Sequence, residues 1–483
     1  MAGAHSYMNR LYLICLTFIV SSVHAGDNLA PIPNAGTQFK STPSLALGSA
    51  SCAFGAPPAT LSLLQAIERA LCFDPASREA WSTIRDRQAQ LATSQAAYLP
   101  DVDLSAADGI KRDVGSTPSA PLYNENAKFR DPKDELTVAF TVFDFGLRQA
   151  TELSAKEALK SAYASHDDTI RTIVLETAKA YYDLARSQDR VSADRDTEAY
   201  MRELNEIADG RYRGGAALIT EKLQAASDYE DAIFKRVGAE GDVLVAKGTL
   251  ASLMGARPDL EFAIIDDAKP ETDAELSESF DWLVRRAIQN DPKVRACNAN
   301  LLTAEADLRA ERVRYMPTVS IVGSLSHSAQ RFIGLPELPL FQNGTDNSTR
   351  TGEIGLQLTV PISASFTRSD RVASARAAVA SAASELDAAV QQSSLEVWSQ
   401  YQKMHVAEKS VESAQHMVDL GIDILASARG RYEAGAGSLA DAVNAQKQLE
   451  SSRLKHSEAL LDLRIARLSL LSGIGSLNLF VAQ

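Results

Sequence analysis

The chain has 483 residues, 45% of them hydrophobic and 23% charged, which is enough apolar content for a packed core and too much for an intrinsically disordered chain. Its formal charge of −13 and sequence pI near 5.2 argue against general binding of nucleic acid through phosphate contacts.

Residues 1–25 read as an export signal: Arg10, the apolar run 11-LYLICLTFIV-20, then Val23-His24-Ala25 at the cleavage end. That run is shorter than the roughly 20 residues a bilayer-spanning helix needs, and no later run reaches that length. An extended segment over 26–59 follows. Cys15 leaves with the signal, so Cys52, Cys72 and Cys297 remain. In the oxidising compartment an exported chain meets, Cys52 and Cys72 flank a short segment and could close a loop. Cys297 is the odd thiol, expected inside a helix.

From residue 60 the pattern changes period. Residues 102–114 and 135–145 alternate, with Leu136, Val138, Phe140 and Val142 set against Thr137, Ala139 and Thr141, so they read as strands of one hairpin with a long loop over 115–133. From Arg148 to Asp209 there is no Gly or Pro, a helix on the order of 90 Å at about 1.5 Å per residue. Its apolar residues Ile170, Val174, Thr177, Tyr181, Leu184 and Val191, interrupted by Gln188, predict a coiled-coil seam. The turn 210-GRYRGGAALITE-221 comes next. Arg211 and Tyr212 close the helix, Gly214 and Gly215 supply positive φ, and Thr220-Glu221 begins a return helix. A linker over 258–279 ends this unit.

The second stretch, 280–475, repeats the first, 60–257. Asp74-Pro75 answers Asp291-Pro292, 98-YLP-100 answers 315-YMP-317, and Gly255 answers Gly473. Val319 and Ile321, then Ile354, Leu356, Leu358, Val360 and Ile362, predict a second strand hairpin over 319–362 with a loop at 329–351. The next long helix has its seam at Val397, Tyr401, Met404, Val411, Val418, Ile422 and Leu425, interrupted by Glu408 and Gln415. It ends in 430-GRYEAGAGSLAD-441, where Arg431, Gly435 and Leu439-Ala440-Asp441 take the corresponding parts. Residues 476–483 form a tail.

Four two-faced strands whose helices already pair with one another have no core to cover. An exported chain with such strands fits an outer-membrane barrel, apolar toward lipid and polar toward the lumen. Lipid tolerates no open sheet edge. The smallest such barrels have about eight strands, so two or more chains must combine.

This order of elements, with 95-QAAYLP-100 and 312-RVRYMP-317 before the strands and 142-VFDFG-146 after them, resembles the TolC-type outer-membrane exit ducts. The resemblance implies a mixed membrane α+β fold. Its parts are a trimeric, twelve-stranded outer-membrane β-barrel with four strands per chain, a long α-helical coiled-coil barrel continuing it, and an internal two-fold repeat. It implies a homotrimer in outer-membrane lipid, a periplasmic adaptor protein and an inner-membrane ABC or proton-driven transporter as partners, and no cofactor. Cys52 with 72-CFDPASREAW-81 resembles the branch that exports protein toxin by type I secretion, while the family resemblance leaves the cargo as either protein toxin or small molecules. At the tips it implies a periplasmic gate. Tyr432 and Glu221 match its tyrosine and acidic partners, Thr220 its threonine, and Asp441 an aspartate ring. Asn444 stands where a second aspartate ring would be and Gly437 where an arginine latch would be.

Catalytic chemistry finds no support. His166, His327, His405, His416 and His456 lack metal-ligand spacing, no phosphate-binding loop or nucleophile elbow is present, and Asp167-Asp168 and Asp266-Asp267 read as solvated surface. The rival reading is a non-channel coiled-coil or adhesin stalk, which leaves both strand hairpins unexplained.

Overall fold

The structure is a computed structural model, and it describes residues 59–115, 125–265, 279–334, 347–362 and 366–475. The export signal, Cys52, most of the extended segment over 26–59, Asp266-Asp267 and the tail over 476–483 lie outside the described residues.

Two short helices precede each set of strands. Helix α1 (Leu63–Phe73) starts with a reciprocal cap between Ser62 and Gln65, and α2 (Pro75–Ala96) follows at once. Helices α5 (Phe280–Asn290) and α6 (Pro292–Val313) hold the corresponding places before the second set. The Asp-Pro pairs make the break: Asp74 Oδ1 accepts from the Ala76 amide at 2.7 Å and Asp291 Oδ1 from the Lys293 amide at 3.0 Å. Proline at the first helical position gives up an amide that had no partner there. Strand β1 (Thr60–Leu61) pairs in parallel with β6 (Ala263–Ile264).

The main sheet contains β2 (Asp101–Ala107), β3 (Ile110–Gly115), β4 (Glu125–Arg130), β5 (Lys133–Phe143), β7 (Thr318–Gly334) and β8 (Asn347–Thr359). Its antiparallel order is β2, β5, β7, β8, with β4 joining β7 beyond β5 and β3 pairing β4. The expected loops are therefore too long in the sequence reading. Strand β4 lies inside 115–133, and β7 and β8 both run into 329–351. The added residues 125-ENAKFR-130 and 347-NSTRT-351 are mostly polar in sequence and do not alternate, so they carry no period-two signal.

Register gives the sheet two unlike faces. Val102, Val138, Gly323 and Ile354 form one row, and Phe140, Ile321 and Leu356 another. Side chains on this face stay exposed, Ile354 at 81% and Leu356 at 78%. The opposite face carries rows such as Asp103, Thr137, Ser324 and Glu353. Among the described residues, the outer edges of β2 and β8 bond no further strand.

Two long helices leave the sheet, α3 (Leu147–Arg213, 67 residues) and α7 (Arg368–Glu433, 66), and each is followed by a return helix, α4 (Ile219–Leu253, 35) and α8 (Leu439–Gly473, 35). Toward the tips they pack in the order α4, α3, α8, α7, and toward the sheet the order is α2, α3, α6, α7. No helix among the described residues is long and apolar enough to cross a membrane.

The first seam lies where the sequence puts it, with Val174, Thr177, Tyr181, Leu184 and Val191 buried. The second departs from expectation. Val397 and Met404 are buried, but Ile422 is exposed, and the buried line runs through Ala407, Ala414, Gly421 and Ala428. Helix α7 comes so near α8 that a Cβ on Gly421 would lie 3.3 Å from Leu449 Cδ1, so small residues take the contact and large ones turn aside. Helix α4 does the same with Ala225, Ala232 and Ala239. The two outer helices of the row are left with exposed apolar side chains, Phe234, Leu244 and Val245 on α4 and Leu420, Ile422 and Ile424 on α7.

Candidate functional site at the hairpin tips

Both long helices run through Gly210 and Gly430 and end three residues later. In the first tip the Gly215 amide donates to Tyr212 O at 3.0 Å and the Ala216 amide to Arg211 O at 2.8 Å. In the second, Gly435 donates to Tyr432 O at 3.0 Å and Ala436 to Arg431 O at 2.9 Å. This pair of bonds is the Schellman closure, which satisfies orphan helix carbonyls and needs one left-handed residue. Gly215 (φ 71°) and Gly435 (φ 76°) supply it. Gly214, expected to share that duty, has φ −79°. The return helix α8 is capped by Ser438, whose Oγ accepts from the Asp441 amide at 3.1 Å.

One tip residue is fully buried. Tyr432, near the end of α7, has no exposed surface, and its hydroxyl donates to Glu221 Oε1 on α4 at 3.0 Å. Arg211, on the last turn of α3, lies 4.9 Å from the Tyr432 ring centroid, donates to the Tyr432 carbonyl at 3.3 Å, and sits 3.8 Å from Glu221 Oε1. Burial, then the bond to Glu221, pushes the Tyr432 phenol up to about 12. Tyr432, Glu221 and Arg211 thus tie the end of one hairpin to both arms of the other. Beside them Lys222 pairs with Asp209 at 2.8 Å and stands over the Tyr212 ring at 5.3 Å, and its hydrogen bond holds the Asp209 carboxyl below its ordinary range.

The other expected gate residues are not drawn into this cluster. Thr220, Asp441, Asn444 and Arg431 are exposed. An arginine at Gly437 would be tightly placed, since a Cβ there would lie 3.0 Å from Arg431 Cβ and 3.1 Å from the Tyr432 amide nitrogen, so these neighbours would have to give by a few tenths of an ångström. Sequence reasoning placed Arg211 in the turn and missed its contact with Tyr432. The signal was the Arg-Tyr pair common to both tips, but which arginine faces which tyrosine is decided by packing between hairpins.

Farther from the tips, Cys72 on α1 is disulfide-bonded, while Cys297 on α6 is a half-buried free thiol whose pKa is raised by burial. Asp167 and Asp168 are not simply solvated: Asp167 pairs with Arg295 at 3.1 Å and Asp168 with Arg171 at 2.8 Å. No cluster of His, Cys, Asp or Glu among the described residues could hold a metal ion.

The family described as outer membrane efflux protein matches the chain over residues 66–256 and again over 283–476. Protein CyaE of Bordetella pertussis is 30% identical over 433 residues, covering 87% of this chain and 86% of that protein. Outer membrane protein TolC of Vibrio cholerae is 21% identical over 395 residues, covering 80% of this chain and 84% of that protein. The Campylobacter jejuni CmeC outer membrane channel shares the fold with a TM-score of 0.72 at 16% identity, over 86% of this chain and 85% of that one. These matches span both strand sets and both long hairpins and set aside the stalk and the enzyme, so this chain belongs to the outer membrane efflux protein family, a family of outer-membrane channels.

Proposed function

We propose that three copies of this chain close one twelve-stranded barrel in the outer membrane and continue it as a tunnel of twelve helices into the periplasm. The sheet carries this reading: it has one apolar and one polar face and, among the described residues, two unpaired outer edges, and lipid tolerates no such edge. The β8 edge of one copy pairs with the β2 edge of the next. Strands β2 and β3 together make one barrel strand, interrupted at Asp108-Gly109, and β4 with β5 make another, interrupted at Asp131-Pro132, so each chain gives four. Exposed apolar residues on α4 and α7 favour a ring in which one flank meets the other, a heterologous contact that closes. The near-equal lengths of α3 and α7 and of α4 and α8, with the two family matches, support an internal two-fold repeat.

In this assembly both tips of each chain converge at the inner end of the tunnel as its gate. Tyr432, Glu221 and Arg211 hold it shut, with Thr220, Asp441 and Asn444 facing the opening or a neighbouring copy. A periplasmic adaptor joins the duct to an inner-membrane transporter, and the cargo is protein exported by type I secretion, a reading supported by the similarity to Protein CyaE over most of both chains. Cys52 is the partner of Cys72. Native mass spectrometry in mild detergent, paired with conductance in planar bilayers, tests the assembly. A trimer with one conducting path per trimer is expected, and a folded monomer or a trimer that does not conduct overturns it.

A further inference from the structure

Two acidic side chains meet in the seam between α3 and α8, about 30 Å from the tips at 1.5 Å per residue. Asp194 on α3 is 3% exposed, and its Oδ2 has no hydrogen-bond partner. Glu450 on α8 reaches the same stretch of α3, one turn along from Asp194 at Thr197, and acts on the Asp194 carboxyl from there. Glu450 Oε2 also accepts from Thr197 Oγ1 at 3.2 Å, and Thr197 Oγ1 in turn accepts from the Gln446 amide at 3.0 Å. Two carboxyl groups brought together in this way attract each other only when one carries a proton, because an ionised pair is acceptor on both sides and repels.

The surroundings do not supply charge enough to ionise both. On α3, Arg190 Nε stands 4.0 Å from Asp194 Oδ2, at the limit of an ion pair. On α4, Lys235 acts on both carboxyls from a distance but is bonded to Asp231 at 3.0 Å. On α8, Arg453 is taken by Asp196 at 3.0 Å. Burial raises the proton affinity of each acid, and for Glu450 the neighbouring Asp194 adds to it.

We propose that Asp194 and Glu450 share one proton across the seam between the two hairpins, and that losing this proton loosens the seam. With the proton in place the pair bonds α3 to α8. Without it, two carboxylates face each other in a largely water-free contact, where like charges repel strongly. A carboxyl whose affinity is raised in the fold stabilises fully below its unfolded pKa, and that stabilisation is lost as pH rises through the folded value. The seam is therefore tight in acid and weakens as pH rises past the ordinary carboxylate range. Asp194 lies on the helix whose last turn carries Arg211, and Glu450 on the helix that returns from Tyr432's tip, so the same two hairpins that the tip cluster joins are joined again here. The proposal stands whether or not the tips are the gate.

The test uses the full-length protein in detergent. Infrared titration of the unmodified protein is expected to show a protonated-carboxyl band that persists after ordinary carboxyls have ionised and disappears on further alkalinisation, and that band is expected to be absent from Asp194→Asn and Glu450→Gln. Histidines change charge in the same range, so the second readout is a difference: between pH 5 and 8 the melting temperature of the unmodified protein falls by roughly 2 °C more than that of Glu450→Gln, whose amide still donates to Asp194. Absence of the band from the unmodified protein, or its survival in both variants, overturns the proposal, as do parallel melting profiles.

Discussion

Gly255 sits against Phe73 so closely that a Cβ on it would lie 2.4 Å from the phenylalanine Cβ, and its φ is 69°. The chain turns here from the end of α4 onto the end of α1, and neither partner can retreat. Gly255→Ala is therefore expected to destabilise the protein by about 2–4 kcal/mol, combining a left-handed alanine with a backbone shift. Gly210→Ala, at a helical position with open space around it, should stabilise by about 0.5–1 kcal/mol. Paired denaturant melts check both, and a neutral Gly255→Ala would show that the α1 contact yields.

Tyr432→Phe removes the hydroxyl bonded to Glu221 and leaves a half-buried carboxylate with Arg211 alone. A loss of about 1–2 kcal/mol in the tip contact is expected, read as a higher single-channel conductance. The pH dependence has a definite sign. The phenol's folded pKa, about 12, lies above the ordinary value near 10, so its contribution is complete below about pH 10 and disappears as pH rises through the folded value. Ultraviolet titration should show one late-ionising tyrosine fewer in the variant, with Tyr98 and Tyr200, whose phenols burial also raises, still present.

Leu356 and Gln357 are neighbours on β8 whose side chains point to opposite faces. Leu356→Arg places charge toward lipid and should cost about 2–4 kcal/mol if it lies near the bilayer midplane, visible as lost heat-resistant assembly on electrophoresis. Gln357→Arg lies on the polar face and should assemble normally. Equal behaviour of the two would reverse the assignment of faces.

Asp441 is exposed on the first turn of α8 and does not cap the helix, because Ser438 does. Asp441→Ala is expected to leave the melting temperature nearly unchanged while reducing cation selectivity, measured as a shift of reversal potential toward zero in a salt gradient. Selectivity like that of the unmodified protein would place Asp441 away from the conducting path.

Non-reducing peptide mapping is expected to recover Cys72 linked to Cys52 and Cys297 unlinked, in keeping with the bonded state of Cys72 and the free state of Cys297. A Cys52 peptide with a free thiol would refute the pairing.

What the sequence made legible depended on how local the cause was. The Asp-Pro helix starts, the positive-φ glycines of the tips and the two-faced strands follow from residues close in sequence, and each lies within a few residues of its expected place. The second seam is legible only in part beyond Met404: Val411 and Leu425 still pack against the core, but Ile422 is exposed, and its buried positions are Ala407, Ala414, Gly421 and Ala428, where α7 comes close to α8. Gly473, paired in the sequence with Gly255, belongs to α8. It is Gly475, with φ 72° and a Cβ position 2.5 Å from Asn290 Cβ, that occupies the analogous corner. The role of Arg211 depends on contact between hairpins, which no local pattern encodes.

The two tip reversals are closed by main-chain bonds and a single left-handed glycine each. Side chains such as Tyr212, Leu218 and Ile219 stand exposed there without being needed to make the chain turn. Substitutions at those positions can alter what the tip touches while the reversal survives, so the surface chemistry of this end can be exchanged separately from its architecture. Grafting the exposed tip residues of one duct onto another is a matter of recognition, with folding left intact.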